Sequence, residues 1–128
     1  MANTRFINET GVKPEIDTTA VIDGTIDCIH KVTIKENVFS GHDVMILTGG
    51  HDPEKFGEER KASNGGGPVT IEEDVWIASR AMIIGPSHIG KHAVIGAGSV
   101  IRGNVPPYAL MIGNPAKIAK FLVAKDNQ

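Results

Sequence analysis

One cysteine, Cys28, stands in a chain of 128 residues. A single thiol excludes an intrachain disulfide and any cysteine-rich metal site. Aromatic residues make up only 5% of the chain, with one Trp and one Tyr. A core built on large rings is excluded with them. No apolar run approaches the roughly 18 residues of a membrane-spanning helix. The N-terminus has no signal-type pattern, so the cytoplasm is the expected location. Basic runs with interleaved aromatics are also missing, and 13 Lys and Arg against 15 Asp and Glu leave a net charge of −2. No nucleic-acid partner is expected from that balance.

What the chain has instead is glycine, 15 residues of it, and isoleucine at a fixed interval. Ile71, Ile77, Ile83, Ile89, Ile95 and Ile101 recur every six residues. A helix repeats near 3.6 and a strand near two, so neither alone accounts for that period. Two residues before each isoleucine stands a small or β-branched residue: Val69, Val75, Ala81, Ser87, Ala93 and Ser99. Turn-formers and charges fill the gaps, as in Glu72-Glu73-Asp74 and Gly90-Lys91-His92. One large inward side chain per six residues describes an all-β chain coiling around an axis with short flat sides. Each isoleucine then stacks on its equivalent in the next coil, and stacking supplies the stability a single repeat lacks.

A looser register precedes this block, through Ile16, Ile22, Cys28, Ile34, Ser40 and Ile46, with Pro14, Ala20, Ile26, Val32, Val38 and Val44 two residues ahead. Cys28 in that register reads as a small buried hydrophobe. The phase then breaks, because Ile46 and Ile71 are 25 residues apart rather than 24. Residues 47–68, rich in glycine and charge, read as a loop thrown out from the coil. Long loops on rigid scaffolds are where function concentrates. Residues 1–13 have no period and read as an edge segment or cap. Pro106 and Pro107 end the strong block, since proline cannot continue a ladder. Beyond them, Asn114 as N-cap, Pro115 at the first helical position, and Ile118, Phe121 and Leu122 on one face predict a short C-terminal helix over about 115–124. The whole chain, 1–128, reads as one domain. Its open ends and flat sides lead us to expect an oligomer.

The hexads, with Trp76-Ile77-Ala78-Ser79, Gly96-Ala97-Gly98-Ser99, Val105-Pro106-Pro107-Tyr108 and Gly113-Asn114-Pro115-Ala116-Lys117 in this order after the run Gly41 to His51, resemble a known family. It is the hexapeptide-repeat acyltransferases, in the maltose, galactoside and polysaccharide O-acetyltransferase branch. The resemblance implies a left-handed parallel β-helix and a homotrimer with sites between subunits. It also implies acetyl-CoA as co-substrate and a carbohydrate acceptor under the excursion loop. His51 is implied as the general base, because an alcohol must lose its proton to attack and imidazole suits that work. The backbone N–H of Ser79 is implied as the oxyanion donor, and that of Ala97 as a contact to the pantetheine arm. Trp76 faces outward, either lining the CoA or acceptor groove or buried between subunits. Lys117 and Lys120 are implied as phosphate contacts. The lysine expected after the last strong hexad is missing, and Arg102 is the candidate to take its place at the phosphates. Asp27 and Asp43 are candidates for binding acceptor. No counterpart of the N-terminal helical extension of the maltose and galactoside enzymes is expected among these residues.

For His30, His42, His88 and His92, plain solvent exposure is the reading. Three other functions stay open: acetylation of an amino sugar, a γ-class carbonic anhydrase-like zinc enzyme, and a non-catalytic trimeric scaffold. The zinc enzyme needs three histidines converging across a subunit interface. His88 and His92 are the only close pair, at a spacing that does not match coil equivalence; no metal is expected.

Overall fold

Isoleucine ladders set the cross-section of the molecule. The computed structural model describes residues 3–123. In chain order its strands are β1 (Thr4–Ile7), β2 (Glu15–Ile16), β3 (Gly24–Asp27), β4 (Val32–Ile34), β5 (Phe39–Ser40), β6 (Val44–Leu47), β7 (Gly49–Gly50), β8 (Gly65–Gly66), β9 (Val69–Ile71), β10 (Trp76–Ile77), β11 (Met82–Ile89), β12 (Val94–Ile95), β13 (Val100–Val105), β14 (Ala109–Gly113) and β15 (Ala116–Phe121). A short helix, α1 (Gly57–Ala62), lies between β7 and β8. No helix among the described residues is long and apolar enough to cross a membrane.

Parallel pairing stacks these strands into three flat sides. Side one joins β2, β4, β9 and the second halves of β11 and β13, with Ile16, Ile34, Ile71, Ile89 and Val105 in register. Side two joins β5, β10, β12 and β14, with Ser40, Ile77, Ile95 and Met111 in register. Side three joins β1, β3, β6 and the first halves of β11 and β13, through Phe6, Ile26, Ile46, Ile83 and Ile101. The core is the column these side chains fill. Every isoleucine of the strong register is buried, and so is each small residue two positions before it.

Corners between the sides use left-handed backbone. Asn37, Asp74, His92 and Tyr108 have φ between 57° and 65° where side one turns into side two. Asp43, Arg80 and Gly98 do the same where side two turns into side three. Asn, Asp, His and Gly tolerate that conformation best, which accounts for most of the residues between hexads.

Ile83 lies between Ile46 and Ile101 with no exposed surface. Truncation would leave a cavity that neighbouring coils cannot collapse into without breaking their ladders. Ile83→Ala is expected to cost about 2–5 kcal/mol in chemical denaturation. Met82→Ala, on the outward side of the same strand, is expected to cost much less.

Three sequence expectations change. Ile46 pairs with Ile26, not with Cys28. The weak block slips by two residues there, although Cys28 is buried and burial pushes its thiol pKa up. The excursion opens at Thr48 and closes at Gly67, whose N–H donates to the Thr48 carbonyl at 2.9 Å; β7, α1 and β8 lie inside it. The C-terminal helix expected over about 115–124 is a strand, β15, antiparallel to β14; its last residue lies outside the described ones. Asn114 and Pro115 form a two-residue turn, entered through Gly113 at φ 110°. An Asn-Pro pair suits a turn as well as a helix start, and the exposed edge of β14 offers hydrogen bonds a helix would leave unmade.

Candidate active site

The excursion starts from a buried carboxylate. Asp27, the last residue of β3, is 5% exposed. Its Oδ2 accepts the N–H groups of Thr48 at 3.1 Å and Gly49 at 2.8 Å. Its Oδ1 accepts Asn8 Nδ2 at 2.7 Å and the Ile29 N–H at 3.2 Å. Burial raises the Asp27 pKa, and these four hydrogen bonds together lower it further than burial raises it, to below the ordinary carboxylate value. A carboxylate depressed on folding stabilises the structure above its unfolded pKa, about 4, and that stabilisation is lost as pH falls through the folded value. Protection of the Thr48 and Gly49 amides against hydrogen exchange, taken relative to the intrinsic rate at each pH, is therefore expected to fall as pH drops below about 4. Asp27→Asn is expected to remove that acid step.

His51 follows β7. It is exposed, and its Nδ1 lies 3.0 Å from the Ser63 carbonyl. A carbonyl only accepts, so Nδ1 carries the hydrogen, and in the neutral ring the lone pair is then on Nε2. Ser63 also fixes the chain beside it: its Oγ accepts the Asp52 N–H at 2.8 Å and donates to the Arg60 carbonyl at 2.6 Å. His30 is not the free surface residue expected. It is half-buried, and its Nε2 contacts the Gly65 carbonyl at 3.1 Å, on the returning strand of the excursion.

Ser79 and Ala97 occupy the corner between sides two and three, one coil apart. Ala78 N–H donates to Ile95 and Arg80 N–H to His42, each at 2.8 Å. Gly96 N–H donates to Met111 at 2.8 Å and Gly98 N–H to Ser79 at 2.9 Å. The intervening N–H groups, of Ser79 and Ala97, have no acceptor among the described residues. Gly41 lies directly beneath. A Cβ there would come within 2.8 Å of the Ser79 nitrogen.

Trp76 is 44% exposed on side two, stacked on Phe39 with ring centroids 6.1 Å apart and planes 7° from parallel. Lys117 and Lys120 stand on β15 beside Ile112 and Leu110, which point outward from side two. They are three apart, yet the register shift at Ala119 brings both to one side of the strand. Arg102 is elsewhere: it aligns with Leu47 and Ile84 at the corner where the excursion leaves. None of these three cations pairs with a carboxylate among the described residues. One chain therefore sets His51 and Arg102 on one corner, and Ser79 and Ala97 on another.

The remaining candidates lie apart. Asp43 is exposed in a turn, and the Asp27 carboxylate is filled by its own chain. His42 pairs with Asp23 at 3.0 Å, His88 with Glu72 at 2.7 Å, and His92 with Asp74 at 2.7 Å. His92 also stacks on Tyr108.

The bacterial transferase hexapeptide family (six repeats) matches residues 68–103. The galactoside O-acetyltransferase of Escherichia coli K12 is 31% identical over 97 residues, which make up 76% of this chain and 47% of that protein. The chain belongs to the hexapeptide-repeat acyltransferase family. As a member, it has the left-handed parallel β-helix. The crystal structure of a maltose O-acetyltransferase from Clostridium difficile 630 matches it with a TM-score of 0.79 at 27% identity, over 95% of this chain and 65% of that one. A hexapeptide-repeat acetyltransferase from Vibrio cholerae, solved with acetyl coenzyme A, matches with a TM-score of 0.66 at 25% identity, over 89% and 70%. This hexapeptide-repeat chain spans about half the length, or less, of the curated relatives it matches.

Proposed function

We propose that the chain is an acetyl-CoA-dependent O-acetyltransferase acting on a sugar or polysaccharide hydroxyl, in a site shared by two protomers of a homotrimer. The observation that carries the reading is the split site. An imidazole with a free Nε2 stands on one corner, and two N–H groups without acceptors stand on another. A second protomer supplies what one chain leaves apart. His51 Nε2 takes the proton as the acceptor oxygen attacks the thioester carbonyl carbon. The Ser79 N–H donates to the oxygen that gains charge. The carbon–sulfur bond then breaks, and the proton passes from His51 to the departing thiolate. Ala97 N–H holds the pantetheine arm, Trp76 borders the groove, and Arg102, Lys117 and Lys120 meet the phosphates. The free cations and free donors fit such a ligand. The names of the E. coli and C. difficile relatives favour a sugar hydroxyl as acceptor.

The test is acetyl-CoA with a panel of hydroxyl and amino sugars, followed by mass spectrometry of the products. An acetyl group removed by mild base marks an ester and supports the reading. One that survives mild base marks an amide and moves the function to amino sugars. No product with any member, and no thermal stabilisation by CoA, leaves the scaffold reading in its place.

A further inference from the structure

We infer that Asp27 and His30 form a positioning pair that fixes the His51 imidazole by clamping both strands of the excursion at its root. The inference rests on the reading of His51 as the base. His51 is exposed, and its ring makes one hydrogen bond, to the Ser63 carbonyl. That bond orients the ring only as far as Ser63 is held. Ser63 is tied to Asp52 and Arg60, both inside the excursion. The whole loop would therefore move as one body unless its root is fixed.

Backbone bonds, from the Gly67 N–H to the Thr48 carbonyl and between β7 and β8, close the excursion on itself; side-chain bonds tie it to the coil. β7 and β8 are the paired glycines Gly49–Gly66 and Gly50–Gly65, with no side chains to pack. Hydrogen bonds do the holding. Asp27 Oδ2 takes the N–H groups of Thr48 and Gly49 on the outgoing strand. His30 Nε2 takes the Gly65 carbonyl on the returning strand, and must be protonated there because a carbonyl only accepts. Thr48 links the two: its Oγ1 accepts the His30 N–H at 2.9 Å and donates to the Asp27 carbonyl at 2.8 Å. Thr48 is fully buried and Asp27 nearly so, so water cannot replace a lost partner. His51 follows Gly49 by two residues, and a shift at the clamp passes directly to its ring.

Three variants test the pair in the full-length protein. His30→Phe keeps the bulk and removes the donor. His30→Gln keeps an N–H at nearly the same reach. Asp27→Asn places an NH₂ against backbone donors. Nitrogen-15 NMR of the His51 ring is expected to show a single Nδ1–H tautomer in the wild type. Averaged tautomers, with faster exchange at the Gly49 and Gly66 amides, are expected in His30→Phe and Asp27→Asn, and wild-type behaviour in His30→Gln. With an acceptor found by the sugar panel, kcat is expected to fall about 10- to 100-fold in the two loss variants, with KM within about twofold. Unchanged His51 spectra in both loss variants overturn the clamp. So does loss of protection throughout the coil, read at the Ile83 and Ile95 amides, in both. Averaged tautomers with undiminished kcat keep the clamp and remove His51 as base, so the two readings fail separately.

Discussion

His51→Ala is expected to lower the acetyl-transfer rate by about 10²- to 10⁴-fold with the fold intact, the range a positioned general base contributes. The ring is exposed and belongs to no core cluster, so thermal unfolding is expected to change little. Alanine alone leaves an ambiguity. It removes the basic nitrogen and also the bond from Nδ1 to the Ser63 carbonyl. His51→Asn separates them. Its Nδ2–H₂ can still donate to that carbonyl, while nothing basic remains at the Nε2 position. The expected result is that Asn and Ala variants are equally inactive. An Asn variant close to wild type would show that the bond to Ser63, and not proton transfer, is what His51 contributes.

The coil was legible because stacking is nearly one-dimensional. Six isoleucines at one interval specify short flat sides and a core with no long-range information. The tail was not legible. Asn114-Pro115 starts helices and fills tight turns alike. The bulge at Ala119 also breaks the alternation that would have marked β15, leaving Ile118, Phe121 and Leu122 at helical spacing. Two glycine pairs and the acidic-to-basic run Glu58-Glu59-Arg60-Lys61 were the signal for the hairpin and for α1. His51 was picked out by motif order alone. Asp27 and His30 could not be assigned from sequence, because Gly49 and Gly65 lie 22 and 35 residues downstream of them. Only the folded excursion brings those groups together. The same is true of Gly41, whose value is visible only once Ser79 is seen above it.

Gly41→Ala is expected to reduce kcat by about 10²- to 10³-fold, the effect of losing one oxyanion donor. The Gly41 backbone is not left-handed, so alanine suits its conformation. The added methyl would sit 2.3 Å from the Ser79 Oγ, which accepts the His42 N–H, and 2.8 Å from the Ser79 nitrogen, the one donor a side-chain substitution at Ser79 cannot remove. Local shifts to relieve these contacts move Ser79, and the donor with it. This variant and His51→Asn then form a pair of opposite defects, one on each corner. If each site takes its imidazole from one protomer and its donor from the next, co-refolding equal amounts of the two should revive activity. Random mixing in a symmetric ring gives half the sites an intact imidazole, and half of those an intact donor, so about a quarter of wild-type activity is expected. A mixture as inactive as its parents would assign both groups to the same chain, which the separation of their corners in one protomer opposes.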